Sequence, residues 1–110
     1  MERLLVADIG GSSSRWAVVP ERGEARIIEG VQGHNPAIGD GEAFVVALRD
    51  RFAKEKDLLD ARRVIVYGAG CGTIERQARM HALLKPLFVA ASIEVNNDLL
   101  GTARGLCADW

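Results

Sequence analysis

An acidic residue followed by a glycine- and serine-rich turn is the first feature of this sequence that could support chemistry. Asp8 follows an apolar run over residues 4–7, the turn 10–14 reads Gly-Gly-Ser-Ser-Ser, and a second apolar run occupies residues 16–19. Glycines let the backbone approach phosphate oxygens, amides and hydroxyls donate to them, and a carboxylate holds Mg²⁺ or its waters. The pattern indicates a metal–phosphate site. A turn-capping aspartate in a plain hairpin is the alternative.

Two later segments also place polar or glycine residues directly after an apolar run. Residues 68–72 form a second glycine-rich turn, which either lines a pocket or only allows close packing. Asp98 follows two asparagines at the predicted end of a strand, where a carboxylate can act as a general base or cap the next helix. Within the turn, Cys71 is expected to be structural rather than reactive. His34, with no second His or Cys at ligand spacing, does not indicate a zinc site.

Hydrophobic periodicity predicts the elements that would position these residues. The runs on either side of the turn form a β-hairpin, because the second starts too soon for an intervening helix. Further strands are predicted over 25–31, 63–69 and 92–96, and helices over 42–56, 74–87 and 99–107. Asp40 is the predicted N-cap of the first helix and Thr73 that of the second. The first helix should bury Phe44, Leu48 and Phe52, and the second Ile74, Ala78, His81, Leu84 and Phe88.

The resulting order is β-β-β-α-β-α-β-α, which predicts an α/β fold. Three antiparallel strands followed by two βα units give a five-stranded mixed sheet with helices on its faces. The same order occurs in the ribonuclease-H-like core.

Composition gives no reason to expect nucleic-acid or membrane partners, and it indicates a cytoplasmic protein. The 110 residues suffice for one domain, and 48% of them are apolar and 26% charged. A net charge of −1 gives no electrostatic reason to expect nucleic acid or an anionic membrane as a partner. No apolar run is long enough for a transmembrane helix, and no signal-peptide layout is present. Two separated cysteines without metal-type spacing are typical of the reducing cytoplasm.

The hairpin resembles the first phosphate loop of the actin, Hsp70 and sugar-kinase ATPase superfamily. That loop follows the pattern Asp-x-Gly-x-Ser/Thr-x-Ser/Thr-Lys/Arg, which is matched here by Asp8, Gly10, Ser12, Ser14 and Arg15. Residues 64–73, VIVYGAGCGT, and 95–107, VNNDLLGTARGLC, are similar to two segments of the BadF/BadG/BcrA/BcrD ATPase family, which includes the N-acetylglucosamine kinases. The three segments occur in family order and span nearly the whole chain.

This resemblance implies an ATP- and Mg²⁺-dependent kinase acting on a sugar or amino sugar. Asp8 would be the Mg²⁺-linked carboxylate, and Asp98 the base that takes the proton from the attacking sugar hydroxyl. The phosphates would be held by Gly10, Gly11, Ser12, Ser13 and Ser14. The substrate would be contacted by Asn35, Gly70 and Asn97. Many relatives carry a lysine in place of Ser13, and Arg15 is a candidate to replace its charge in part.

The resemblance also implies that residues 1–110 are the N-terminal lobe of a two-lobed protein. The second lobe is absent from this chain, so the chain alone is expected to be inactive and to self-associate or dimerise through the exposed lobe face. Three alternatives stay open. One is a BadF-type ATPase that activates a partner reductase through an iron–sulfur cluster. Another is a non-catalytic binding lobe. The third is a nuclease using Asp8 and Asp98 as metal ligands, with Glu42, Glu75 and Asp109 as the nearest further carboxylates.

Overall fold

A five-stranded mixed sheet organises the part of the chain that the computed structural model describes, residues 4–20, 22–39, 41–55 and 58–97. Its strands are β1 (Leu4–Ile9), β2 (Ser13–Val19), β3 (Arg26–Gln32), β4 (Arg63–Gly68) and β5 (Ser92–Asn97). They lie in the order β3-β2-β1-β4-β5. The first three pair as an antiparallel meander, and β4 and β5 run parallel to β1. The predicted α/β fold with a mixed five-stranded sheet is confirmed.

Two helices connect the parallel strands. Helix α1 (Glu42–Ala53) joins β3 to β4, and α2 (Ile74–Leu84) joins β4 to β5. The crossover between β4 and β5 is required because parallel neighbours cannot be joined by a tight turn. Helix α1 carries the chain from the edge strand β3 past β2 and β1 to β4. The helix predicted over 99–107 lies outside the described residues. No helix in the described ranges combines the length and apolarity needed to cross a membrane.

The helix ends differ in part from the sequence prediction. Thr73 caps α2 as predicted, with its hydroxyl accepting the N–H of Arg76 at 3.1 Å. Helix α1 has Gly41 at its N-cap, with φ of 79° and no side-chain cap, and the predicted cap Asp40 lies outside the described residues. Helix α2 ends at Leu84, three residues earlier than predicted, because Pro86 has no N–H with which to continue the helical hydrogen bonding, although Lys85 keeps helical backbone angles.

The main core covers one face of the sheet, and both described helices contribute to it. Trp16 is fully buried at its centre, with its ring 5.1 Å from that of Phe52 in an edge-to-face contact and 5.9 Å from that of Phe88. Side chains alternate between faces along a strand, so Asp8 and Arg15 project to the opposite face. The small apolar cluster on that face contains Val6, Ala17 and Tyr67.

The predicted buried face of α1 is confirmed, and that of α2 is partly wrong. Phe44, Leu48 and Phe52 are all buried, as expected. In α2 the buried positions are Met80 and Leu84, followed by Phe88, whereas Ile74, Ala78 and His81 are exposed. The stripe is displaced because α2 is turned so that the face with Met80 and Leu84 packs on the core, while the adjacent face with Ile74, Ala78 and His81 is exposed.

Candidate functional site

The turn between β1 and β2 is closed by backbone hydrogen bonding. Asp8 faces Arg15 and Ile9 faces Ser14 across the hairpin. The N–H of Gly10 donates to the carbonyl of Ser13 at 2.9 Å, which leaves Gly11, Ser12 and Ser13 exposed at the tip. The predicted phosphate loop is therefore a tight hairpin turn that presents backbone amides and two hydroxyls to the solvent.

A cleft of about 470 Å³ lies beside this turn. The structure brings four of the predicted site residues to it, namely Asp8, Gly10, Ser13 and Ser14. Arg15, Glu29, Gly30 and Ala69 complete its lining. Gly11 and Ser12 are at the turn tip and do not line it. Asp8 is half-buried at the end of β1, so its carboxylate lies at the wall of the cleft.

Ser14 connects the turn to the core. Its side chain is buried, and its hydroxyl donates to the carbonyl of Gln32 at 2.8 Å while accepting the indole N–H of Trp16 at 2.9 Å. A hydroxyl has one proton to donate. In this arrangement Ser14 stabilises the turn, and the exposed hydroxyls of Ser12 and Ser13 are the ones presented to a ligand.

The loop after β3 packs directly against the turn. The N–H of His34 donates to the carbonyl of Gly10 at 2.9 Å. A Cβ atom on Gly33 would overlap that carbonyl oxygen and lie 2.6 Å from the nitrogen of Ser13. Gly33 is thus a supporting residue that sequence analysis missed, since its contact is with a turn twenty residues away. His34 stacks on Phe44 with ring centroids 5.6 Å apart.

Two residues predicted to contact substrate are in contact with each other. The side-chain oxygen of Asn35 accepts the N–H of Ala37 at 2.9 Å. Its amide group packs on Gly70, where an added Cβ would overlap the Asn35 side-chain oxygen. The glycine-rich turn after β4 is joined to β1 by a hydrogen bond of 2.8 Å from the N–H of Ala69 to the carbonyl of Ile9. The three loops therefore meet at one edge of the sheet.

The end of β5 lies at the same edge. Gly68 pairs with Ile9 on one side and with Asn97 on the other. Because neighbouring strands are about 4.8 Å apart, the backbone of Asn97 lies roughly 10 Å from that of Ile9. Asp98 comes next in the sequence and lies outside the described residues.

Cys71 is structural, as the sequence indicated. It is fully buried, and burial raises the pKa of its thiol because the thiolate would lose its hydration. Its carbonyl accepts a hydrogen bond of 2.9 Å from the side chain of Gln77, which joins the turn to α2. A raised pKa opposes the reactive thiolate.

The donors at the cleft fit a magnesium–polyphosphate ligand. Within the described ranges, no group of three or more His, Cys, Asp or Glu side chains is placed to hold a metal ion by itself. Nucleotide-bound Mg²⁺ needs fewer protein ligands, because phosphate oxygens and waters supply most of its coordination. Asp8 would hold such an ion at the wall of the cleft, and the open space around Gly11 at the tip of the turn would allow the close backbone approach that phosphate requires.

Comparison with known proteins relates the fold to kinases. No protein-family model matches the sequence and no curated protein is similar to it, so the resemblance to the BadF/BadG/BcrA/BcrD family stays a prediction. Among solved structures, a candidate N-acetylglucosamine kinase from Porphyromonas gingivalis is 30% identical with a TM-score of 0.77. The match covers 96% of this chain and 38% of that protein.

Two further solved structures, both from Pseudomonas aeruginosa, share the fold. YeaZ has a TM-score of 0.58, and an uncharacterised protein with similarity to peptidase YeaZ has one of 0.57. Each is 17% identical, and the match covers 99% of this chain and 50% of the other. The two structures at 17% identity show a shared fold alone, and the similarity to the Porphyromonas gingivalis protein relates this fold to that of sugar kinases.

Proposed function

We propose that this chain is a lobe of an ATP-dependent kinase that transfers the γ-phosphoryl group to a hydroxyl of an amino sugar of the N-acetylglucosamine type. The observation that carries the proposal is the cleft formed by Asp8 and the glycine–serine turn. It occurs in a chain whose similarity to a candidate N-acetylglucosamine kinase extends over 96% of its length.

The phosphate end of the substrate would lie at the turn. The N–H of Gly11 and the hydroxyls of Ser12 and Ser13 would donate hydrogen bonds to phosphate oxygens, while Ser14 and the backbone hydrogen bond from Gly10 to Ser13 hold the turn in place. Asp8 would hold Mg²⁺, directly or through its waters. When bound, Mg²⁺ neutralises charge on the β- and γ-phosphates and orients them for transfer.

The acceptor sugar would lie against the adjoining loops. Asn35 and Gly70 lie on two loops, and Asn97 ends β5, all at the same sheet edge as Asp8, which supports their assignment to the substrate side. Asn35 is held by its hydrogen bond to Ala37 and by its packing on Gly70, so it is oriented before the substrate binds. A polar group in a fixed orientation loses less entropy on binding a hydroxyl or an acetamido group.

Proton removal from the acceptor is assigned to Asp98. Asp98 follows Asn97 in the sequence. Asn97 lies at the edge of the sheet where the turn and the cleft lie. A carboxylate within hydrogen-bonding reach of the attacking hydroxyl can accept its proton as the oxygen–phosphorus bond forms. The remainder of the catalytic effect in phosphoryl transfer comes from positioning and from stabilisation of charge.

A complete active site would require a second lobe. The chain spans 38% of the length of the Porphyromonas gingivalis protein, which supports the proposal that it corresponds to one lobe of two. Closure of two lobes over bound substrates would exclude water from the transferred phosphoryl group. Self-association through an exposed lobe face stays a prediction.

Residue-resolved binding tests the proposal on the chain itself. Titration of ¹⁵N-labelled protein with Mg·ATP should shift the amide signals of Gly10, Gly11 and Ser12. Titration with N-acetylglucosamine should shift those of Asn35 and Gly70. The Asp8→Asn variant should bind ATP with less dependence on Mg²⁺, because the carboxylate that holds the ion is lost.

The matched control is Asp50→Asn, which removes a carboxylate from the exposed side of α1. It should leave both titrations unchanged. Absence of shifts at the turn with millimolar Mg·ATP, or equal effects of the two Asp→Asn substitutions, would contradict the proposed phosphate site. Shifts with ATP but none with N-acetylglucosamine would leave an ATPase lobe and contradict the acceptor assignment.

A further inference from the structure

An Arg–Glu ion pair lies in the cleft next to Asp8. The Nε atom of Arg15 is 3.1 Å from Oε1 of Glu29, and the two side chains are 37% and 64% exposed. An ion pair as accessible as this contributes little to folding stability, because water solvates both partners well when they are separated. Its position at the candidate phosphate site suggests a role other than holding β2 and β3 together.

A bulge in β3 places Glu29 opposite Arg15. The pairing of β2 with β3 runs from Ser14 opposite Val31 to Trp16 opposite Ile28. Arg15 alone therefore faces two residues, Glu29 and Gly30. Gly30 has φ of 71°, a conformation that other residues rarely adopt. Bulges often redirect a side chain next to a functional site.

The described residues around the cleft carry more negative than positive charge, which is unfavourable for a negatively charged polyphosphate. Of the eight residues that line it, Arg15 is the only cation, and Asp8 and Glu29 are the anions. A guanidinium group forms strong paired hydrogen bonds with carboxylate and phosphate alike. A phosphate group entering the cleft would therefore compete with Glu29 for the same cation.

We propose that Arg15 is a polyphosphate-binding residue and that Glu29 is a positioning residue that lowers phosphate affinity by competing for it. This inference rests on the proposed function, because it assumes that the cleft receives the phosphates of ATP. In the absence of ligand, the pair keeps the guanidinium at the wall of the cleft. On binding, Arg15 exchanges the carboxylate for phosphate oxygens, so the bulge at Glu29 and Gly30 sets the affinity of the site.

Calorimetric titration at low salt with Mg·ATP and, separately, with tripolyphosphate tests this exchange. Arg15→Ala should weaken both ligands about tenfold, the effect of losing one charge-assisted contact. Glu29→Gln should tighten both about threefold, because the competing charge is gone while the side-chain shape is kept. The double variant should match Arg15→Ala within about twofold, since Glu29 acts only through Arg15.

A second Arg–Glu ion pair, between Arg26 at the start of β3 and Glu55 just after α1, supplies a control. Arg26 and Glu55 are 2.8 Å apart and lie outside the cleft lining, so Arg26→Ala should leave both affinities unchanged. Arg15→Lys, which keeps the charge without the planar guanidinium, should retain part of the affinity and show that the alanine variant is not merely misfolded. Thermal melting of each variant checks that all are folded.

The outcomes separate this inference from the proposed function. If Mg·ATP binds through Asp8 but Arg15→Ala has no effect, the inference is wrong and the phosphate site stands. If Glu29→Gln weakens binding, or still tightens it when Arg15 is absent, Glu29 does not act by competing for Arg15. If the unaltered chain binds neither Mg·ATP nor tripolyphosphate, both are wrong.

Discussion

Replacing Gly33 by alanine should disrupt the turn between β1 and β2, which is twenty residues away in the sequence. The added Cβ would lie 2.6 Å from the nitrogen and 2.7 Å from the oxygen of Ser13, where real contacts rarely fall below 3.4 Å. All the atoms in the way are backbone, and the Gly10 carbonyl is overlapped as well. To relieve the contact with the Ser13 nitrogen alone, the loop and the turn must separate by about 0.8 Å, and the overlap with the Gly10 carbonyl requires more.

A separation of that size should break the hydrogen bond between the loop and the turn. The N–H of His34 and the carbonyl of Gly10 are 2.9 Å apart, and stretched by most of an ångström they no longer form a hydrogen bond. The bond from Gly10 to Ser13 lies within the turn and moves with it. The lost bond contributes about 1 kcal/mol, and residual overpacking costs about 1–3 kcal/mol. We expect Gly33→Ala to lower the free energy of unfolding by about 2–4 kcal/mol.

Urea unfolding followed by far-UV circular dichroism measures this loss. With a slope of about 1.5 kcal/mol per molar urea, the midpoint should fall by roughly 1–3 M. Gly11→Ala is the matched control, because Gly11 is exposed at the turn tip and a Cβ there meets no atom within 4 Å. Its midpoint should stay close to that of the unaltered protein.

The ligand titration provides a second measurement on the same pair of variants. Gly33→Ala should reduce Mg·ATP-induced amide shifts at Gly10 and Gly11, whereas Gly11→Ala should retain a folded turn. Equal urea midpoints for the two variants would refute the reasoning, since the clash would then have been relieved without breaking the contacts that hold the turn. Normal ATP binding by a destabilised Gly33→Ala variant would separate turn stability from phosphate binding.

Three further predictions concern other contacts. Ser14→Ala leaves the buried indole N–H of Trp16 without its acceptor and should cost about 1–3 kcal/mol in urea unfolding, whereas Ser12→Ala at the exposed tip should change little. Thr73→Ala removes the N-cap hydrogen bond of α2 and should cost about 1 kcal/mol, measurable by thermal melting. Burial raises the pKa of the Cys71 thiol, so the folded state holds its proton more tightly. The stability that the protonated Cys71 thiol contributes should be complete below the ordinary thiol pKa of about 8.5 and be lost as the pH rises through the raised pKa. The Cys71→Ala variant should not show this loss of stability.

The sequence predicted the elements of the fold because their signals are local. Alternation of apolar residues gives strands, a spacing of three to four gives the α1 face through Phe44, Leu48 and Phe52, and Thr73 caps a helix through a residue three positions away. The tight turn after Asp8 is also local, since only a hairpin fits between the two apolar runs. For these features, neighbours along the chain decide the conformation.

Only the tertiary structure showed how the candidate site is held together. Gly33 contacts the turn, Gly70 contacts Asn35, and the β3 bulge brings Glu29 to Arg15, yet each pair is separated by more than a dozen residues in the sequence. The exposure of Ile74 likewise depends on which face of α2 packs on the core. Sequence periodicity specifies which residues favour an element, but not the register and the close approach between elements. Those follow from how the loops pack at the edge of the sheet, which determines the shape and the charge of the cleft.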